Sequence, residues 1–198
     1  MVAVIDYDTG NLRSVINALD RAGAEYVVTS DVETIRSAER VIMPGVGEAA
    51  SAMQKLRERG LDTLIPTLKQ PVLGICIGMQ LMCLSSEEGS AECLGIFPTK
   101  VVRLPEKDAA DEMLKVPHVG WDTIERLRSP LFDGVDESRH FYYVHSFAAE
   151  LCAESIATTS YGVEFSAALN RDNFYGTQFH PEKSGDIGEQ VIRNFLKL

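Results

Sequence analysis

Basic residues are in deficit in this chain: 19 lysines and arginines stand against 29 aspartates and glutamates among 198 residues, a net charge of -10. That balance argues against nonspecific affinity for phosphate backbones, so no nucleic-acid partner is expected. Long apolar runs are missing too. Nothing approaches the ~20 residues of a membrane-spanning helix, and no membrane association is expected. The opening Met1-Val2-Ala3-Val4-Ile5-Asp6-Tyr7 has no basic segment or small-residue cleavage site of a secretory signal, so a cytoplasmic location is expected. Cys76, Cys83, Cys93 and Cys152 form no C-x-x-C pair, which argues against a disulfide framework and a zinc knuckle. His118 and His140 show no ligand spacing with acidic or cysteine residues, so neither a metal nor a cofactor is expected. Linkers, repeats and low-complexity tracts are absent, and one domain over residues 1–198 is the expectation.

What is present is alternation. Val2 to Ile5, Val41 to Met43 and Val72 to Ile75 are short apolar runs ended by turn residues, the pattern of buried strands. Between them Asn11 caps a helix through Ala22, with Leu12, Val15, Ile16 and Leu19 at helical spacing and Gly23 as the stop. Glu25 to Thr29 reads as the second strand. Glu48 to Arg59 reads as a helix with Met53 and Leu56 inward. This order predicts an α/β fold with a mainly parallel central sheet flanked by helices and ligands at the strands' carboxyl ends. The second half reads differently, with strands at Lys100–Arg103, Trp121–Ile124, Phe141–Val144, Ser155–Thr159, Phe165–Leu169 and Tyr175–Gln178 and no long helix between them. A more antiparallel C-terminal portion is expected there, with Pro105 to Met113 as an exposed connection. A last helix, capped by Asp186 with Glu189 three positions on, turns Val191, Ile192, Phe195 and Leu196 inward.

Three motifs carry chemistry. In Leu73-Gly74-Ile75-Cys76-Ile77-Gly78-Met79-Gln80 a strand runs through G-x-C-x-G into a helix, the spacing of a nucleophile elbow with sulfur as nucleophile and the Ile77 amide as an oxyanion donor. The same spacing also suits a small buried cysteine whose glycines merely let helix and strand pack closely. A thiol needs a base, and His180-Pro181-Glu182 places an imidazole at a strand end with a carboxylate two positions on to orient it. Alone, that triplet reads equally as an ordinary polar strand end. The third motif, Val41-Ile42-Met43-Pro44-Gly45-Val46-Gly47, is a strand entering a glycine-containing loop suited to presenting amides to an anion, or a plain strand-to-helix turn. His145 sits inside an apolar run and reads as a hydrogen-bonded structural histidine rather than a second base.

The order Pro44-Gly45-Val46-Gly47, Gly74-Ile75-Cys76-Ile77-Gly78-Met79-Gln80, His180-Pro181-Glu182 resembles the class I (triad) glutamine amidotransferases. Asp6 to Ser14, Pro117-His118-Val119-Gly120-Trp121, Tyr142 to Phe147, Met79 and His180 to Ser184 are similar to hallmarks of one branch, the glutaminase subunits of imidazole glycerol phosphate synthases. The resemblance runs from Ile5 to the C-terminus. It implies a flavodoxin-like class I glutaminase fold and glutamine hydrolysis by Cys76, His180 and Glu182. It further implies oxyanion contacts from Ile77, Val46 and Gly47 and substrate contacts from Gly47, Gln80, Ser146 and Phe147. Ammonia would pass to a cyclase subunit in a heterodimer of histidine biosynthesis, with Asn11, Trp121 and Lys183 near that partner. Two positions depart from the branch: Asp8 stands where Gly is common, and Asp122 where Asn is expected. The rival readings are a glutaminase serving another amidotransferase and a non-catalytic assembly subunit. The flexible Gly45–Gly47 segment is expected to be misoriented in the free chain and set by the loaded partner.

Overall fold

The structure, a computed structural model, describes residues 1–8 and 12–198. Its first half alternates strand and helix: β1 (Val2–Ile5), α1 (Leu12–Ala22), β2 (Tyr26–Thr29), α2 (Val32–Ser37), β3 (Arg40–Met43), α3 (Ala49–Glu58), α4 (Leu61–Leu64), β4 (Val72–Ile75) and α5 (Ile77–Leu81). Short strands β5 (Ser85–Ser86), β6 (Ala91–Glu92) and β7 (Lys100–Arg103) follow, then β8 (His118–Thr123), β9 (His140–His145) and β10 (Phe147–Ala149). The chain ends with β11 (Ser155–Tyr161), β12 (Val163–Arg171), β13 (Phe174–Thr177) and α6 (Gly185–Phe195).

Seven strands form the main sheet in the order β11-β12-β13-β4-β3-β1-β2. The five from β13 to β2 pair parallel, and β12 and β11 extend the sheet antiparallel. The expected parallel core with an antiparallel C-terminal portion is what the chain adopts. Its cause is the apolar run: every residue of β1 and β4 is buried, as a strand covered on both faces requires. Helices flank the sheet in two groups, α1 against α6 and α3 against α4 and α5. Val191, Ile192 and Phe195 of α6 are buried, each worth roughly 1.5–3 kcal/mol when a large apolar side chain is fully covered. Among the described residues, no helix is long and apolar enough to cross a membrane.

Several sequence expectations shift in detail. Gly23 adopts φ +71° and stops α1, but the Asn11 cap lies outside the described residues. Glu48 caps α3 by accepting from Ser51 N–H. The α6 cap is different from the expected Asp186: Ser184 occupies the N-cap position, and Asp186 lies in the first turn. Arg139 binds the Asp186 carboxylate, while the Ser184 hydroxyl is committed to His180 O (2.6 Å) and Tyr142 N–H (3.0 Å). Leu196 ends the helix half-buried rather than joining the inward stripe. Helix α2 and the pair β5–β6, which join β7 and β10 in a four-stranded sheet, went unread. The eighth strand begins at His118, three residues before the expected Trp121, and pairs with β9. The Pro105–Met113 connection is mostly exposed.

Candidate active site

Cys76 follows β4 directly and has φ 54°, ψ -111°, a conformation that costs a non-glycine residue of order 1–3 kcal/mol and persists only where its surroundings hold it. The surroundings are identifiable. Cys76 N–H donates to Thr177 O at 2.7 Å, continuing the register that sets Gly74 beside Gly176 and Ile75 beside Thr177. On the other side α5 lies against the sheet so closely that a Cβ on Gly78 would stand 1.9 Å from Met43 O, and one on Gly74 would stand 2.7 Å from the Gly78 backbone. The glycines of the elbow therefore let the helix approach, and that approach holds the cysteine at the turn. The Ile77 amide begins α5 next to the sulfur.

The candidate base comes from the neighbouring strand. Beyond β13, His180 enters a 3-10 turn over Pro181–Lys183, which folds Glu182 back so that its Oε1 lies 2.8 Å from His180 Nδ1. Both side chains are 2% exposed. The turn at Pro181 thus makes the i, i+2 spacing work. Among the described residues His180 Nε2 has no hydrogen-bond partner, and it shares with Cys76 a pocket of ≈ 310 Å³ at the carboxyl ends of β4 and β13. Burial disfavours the charged imidazole, but the Cys76 sulfur and then Glu182 outweigh it and push His180 up to about 10. The arrangement sets a thiol beside an imidazole with a carboxylate behind it.

Val46, Gly47, Gln80, Ser146 and Phe147 line the same pocket. Tyr7 Oη donates to Pro44 O at 2.7 Å and fixes the start of the glycine loop, whereas Gly47 has φ +105° and open space where a Cβ would stand. Gln80 is 1% exposed, and among the described residues its Oε1 has no partner. The carbonyls of Ser146 and Phe147 are already occupied, the first by Leu104 N–H, the second by His145 and Gln80. The Ser146 side chain is therefore the more available group.

Two groups of the site, Glu88 and Gln178, escaped the sequence. Glu88 brings a carboxylate whose pKa burial raises, an effect the Ala49 N–H at 2.9 Å opposes. Gln178, 0% exposed, donates from Nε2 to Cys76 Sγ at 3.6 Å. His145 is fixed by Phe147 O at 2.9 Å and by His118 Nδ1 at 3.1 Å; burial first, opposed by the Phe147 bond, pushes it down to about 3. It is the structural histidine expected. His118 stacks on Tyr161 at 3.9 Å between ring centroids, and its Nε2 lies 3.6 Å from Asp122 Oδ2, which gives the unexpected aspartate a local role. The other departure, Asp8, has φ 60°, a conformation that suits glycine and that aspartate tolerates, and Arg59 and Lys55 bind it.

Away from the pocket, Trp121 is 55% exposed and meets the Tyr142 ring at 5.7 Å, over which Lys183 Nζ lies at 5.8 Å. Trp121 and Lys183 thus share one exposed aromatic–cation patch; Asn11 is outside the described residues.

The family model described as glutamine amidotransferase class-I matches residues 3–198. The chain is 54% identical over 197 residues to "Imidazole glycerol phosphate synthase subunit HisH" of Bacteroides thetaiotaomicron, covering 100% of this chain and 99% of that one. It is 45% identical to the same-named protein of Haemophilus influenzae, covering 99% and 96%. Among solved structures, a glutamine amidotransferase from Thermotoga maritima superposes with a TM-score of 0.68 at 14% identity, over 99% of this chain and 96% of that chain. That last likeness speaks to the fold alone.

Proposed function

The chain belongs to the class-I glutamine amidotransferase family, and from that premise we propose that it hydrolyses glutamine as the glutaminase subunit of an imidazole glycerol phosphate synthase in histidine biosynthesis. The observation that carries the reading is Cys76 held at a strained elbow in the same pocket as an imidazole that Glu182 orients.

His180 Nε2 takes the thiol proton, and Cys76 Sγ attacks the carboxamide carbon of glutamine. The developing oxyanion is received by the Ile77 N–H and by an amide of the Val46–Gly47 loop. Collapse expels ammonia, which takes its proton from His180, and leaves a glutamyl thioester. Water, deprotonated by the same imidazole, attacks the thioester and releases glutamate and the Cys76 thiolate. The unpartnered Gln80 Oε1 and the Glu88 carboxylate are acceptors suited to the substrate's N–H groups and α-ammonium, with the Ser146 hydroxyl on the same wall.

The ammonia serves a cyclase subunit bound over the Trp121–Tyr142–Lys183 patch, where a half-exposed indole beside a cation has the character of an interface anchor. Open space where a Gly47 Cβ would stand lets a peptide of the oxyanion loop rotate, so the loaded partner sets the loop and switches hydrolysis on. The test is glutamate release by the chain alone and with a cyclase subunit plus its nucleotide ligand, Cys76→Ala serving as control. Strong stimulation that vanishes in the control is expected. Equal rates with and without the loaded partner would sink the loop reading, and no turnover in either state would sink the glutaminase.

A further inference from the structure

One side chain hydrogen-bonded to the sulfur of Cys76 belongs to no part of the triad and to no oxyanion or substrate contact. Gln178 sits where β13 ends, beside the elbow, with its Nε2 3.6 Å from Cys76 Sγ. It is fully buried, and that sulfur is the acceptor its amide nitrogen meets among the described residues.

Which end of a glutamine faces a neighbour is decided by the bonding around it. Here the chain of bonds has a fixed origin. The carbonyl of Phe147 can only accept, and it receives Gln80 Nε2 at 2.8 Å and His145 Nδ1 at 2.9 Å. Gln80 therefore has its nitrogen at that end, and its second N–H goes to Gln178 Oε1 at 2.9 Å. With its oxygen so engaged, Gln178 has its NH₂ toward the sulfur. Turning the Gln178 amide over would set nitrogen against nitrogen at Gln80 and oxygen against sulfur at Cys76. Two conflicts at one buried residue fix the polarity.

We infer that Gln178 is a donor to the reacting sulfur, oriented by Gln80, which supports the Cys76 thiolate before attack and again when water expels it from the thioester. The inference rests on the reading of Cys76 as the nucleophile. As a neutral thiol, Cys76 lies 3.9 Å from Val144 O, to which its S–H points. Once that proton has moved to His180 Nε2, the thiolate can no longer donate, and the Gln178 N–H is the complementary contact. No proton leaves Gln178 at any step. Its amide stays neutral while the sulfur's electron pair forms the C–S bond and later takes it back. The link to Gln80, which lines the pocket, also ties the sulfur's donor to a wall of the substrate site.

The experiment compares wild-type chain with Gln178→Met, which keeps volume and removes the donor. Cys76 alkylation by iodoacetamide is followed by peptide mass spectrometry from pH 6 to pH 10, beside kcat and KM for glutamine with the partner present. In the wild type Cys76 should be labelled ahead of Cys83, Cys93 and Cys152; if it is not, the nucleophile itself is misassigned. In Gln178→Met, labelling at neutral pH and kcat should fall by about 10- to 100-fold, the range of one hydrogen bond to a charged group. The deficit should close at high pH, with KM changed far less. His145, His180, Glu182 and Glu88, the other titratable groups around the sulfur, are untouched by the substitution, and a purely structural role would not move the pH profile. Wild-type labelling at every pH in a folded variant overturns the inference while leaving the glutaminase intact. A second measurement needs no variant: the side-chain amide protons of Gln178 in the NMR spectrum should shift downfield as Cys76 ionises and lose that response once it is alkylated. An unresponsive amide overturns the inference equally.

Discussion

Replacing Glu182 with Gln removes one negative charge from a place where water cannot compensate. Glu182 and His180 are both 2% exposed, and the carboxylate meets His180 Nδ1 at 2.8 Å. The substituted amide has two ways to sit. With its oxygen toward Nδ1 it keeps the bond and loses the charge assistance, about 1.5–3 kcal/mol for a hydrogen bond to a charged group. With its nitrogen toward Nδ1 it forces the other tautomer and protonates Nε2, the atom that must take the thiol proton. The equivalent substitution in the serine-protease triad lowers kcat by about 10⁴. The expectation for Glu182→Gln is thus a kcat lower by about 10²- to 10⁴-fold with KM nearly unchanged, since the carboxylate does not line the substrate pocket. Glutamate release under saturating glutamine, with the partner present, measures it. Stability supplies a second readout whose sign is fixed. His180 is raised from 6.5 to about 10 in the fold, so its charged form contributes stability that is fully present below pH 6.5 and is lost as pH rises through about 10. Removing Glu182 deletes two of the influences raising it, and the loss should begin at lower pH in urea melts. A kcat within about threefold of wild type would refute the triad, because it falls below the cost of losing even one charged hydrogen bond.

Gly78→Ala places a Cβ against the Met43 carbonyl, a backbone atom that cannot step aside, and should cost about 1–3 kcal/mol or more in urea unfolding; an unchanged midpoint would contradict the close approach of α5. Trp121→Ala should leave the chain's own stability nearly intact but weaken cyclase binding by about 1–3 kcal/mol in titration calorimetry. A fall in stability without loss of affinity would make Trp121 a structural residue. His145 should show no titration between pH 5 and pH 9 in imidazole NMR, with its proton on Nδ1, because burial holds it near 3; a midpoint near 6.5 would contradict that burial.

The parallel half of the fold was legible because its strands are unbroken apolar runs and its longer helices carry period and stops. The elbow and its base were legible because glycine spacing and a histidine–proline–carboxylate triplet are local. What could not be read is what depends on neighbours. Strands β5 and β6 have two residues each, too few for any periodicity. Helix α2 has six, although Asp31, a favoured N-cap residue that here accepts from Thr34 N–H, stands in the sequence as a start signal. Asp186 had the spacing of a cap, yet Arg139, distant in sequence, takes its carboxylate. Gln178 looked like one more polar residue of a strand end, and only the sheet register brings it to the sulfur.

That register also sets when the enzyme can exist. Cys76 and Gln178 are 102 residues apart along the chain, and His180 and Glu182 follow two and four positions later. On the ribosome the thiol emerges long before its base. Until β13 slots between β4 and β12, β4 has an unpaired edge and Cys76 has neither His180 nor Gln178 beside it. Closing so long a loop is a slow, late event in folding. On the proposed triad, chemical competence is thus coupled to completion of the sheet, and a nascent or C-terminally clipped chain would carry Cys76 without the groups proposed to activate it.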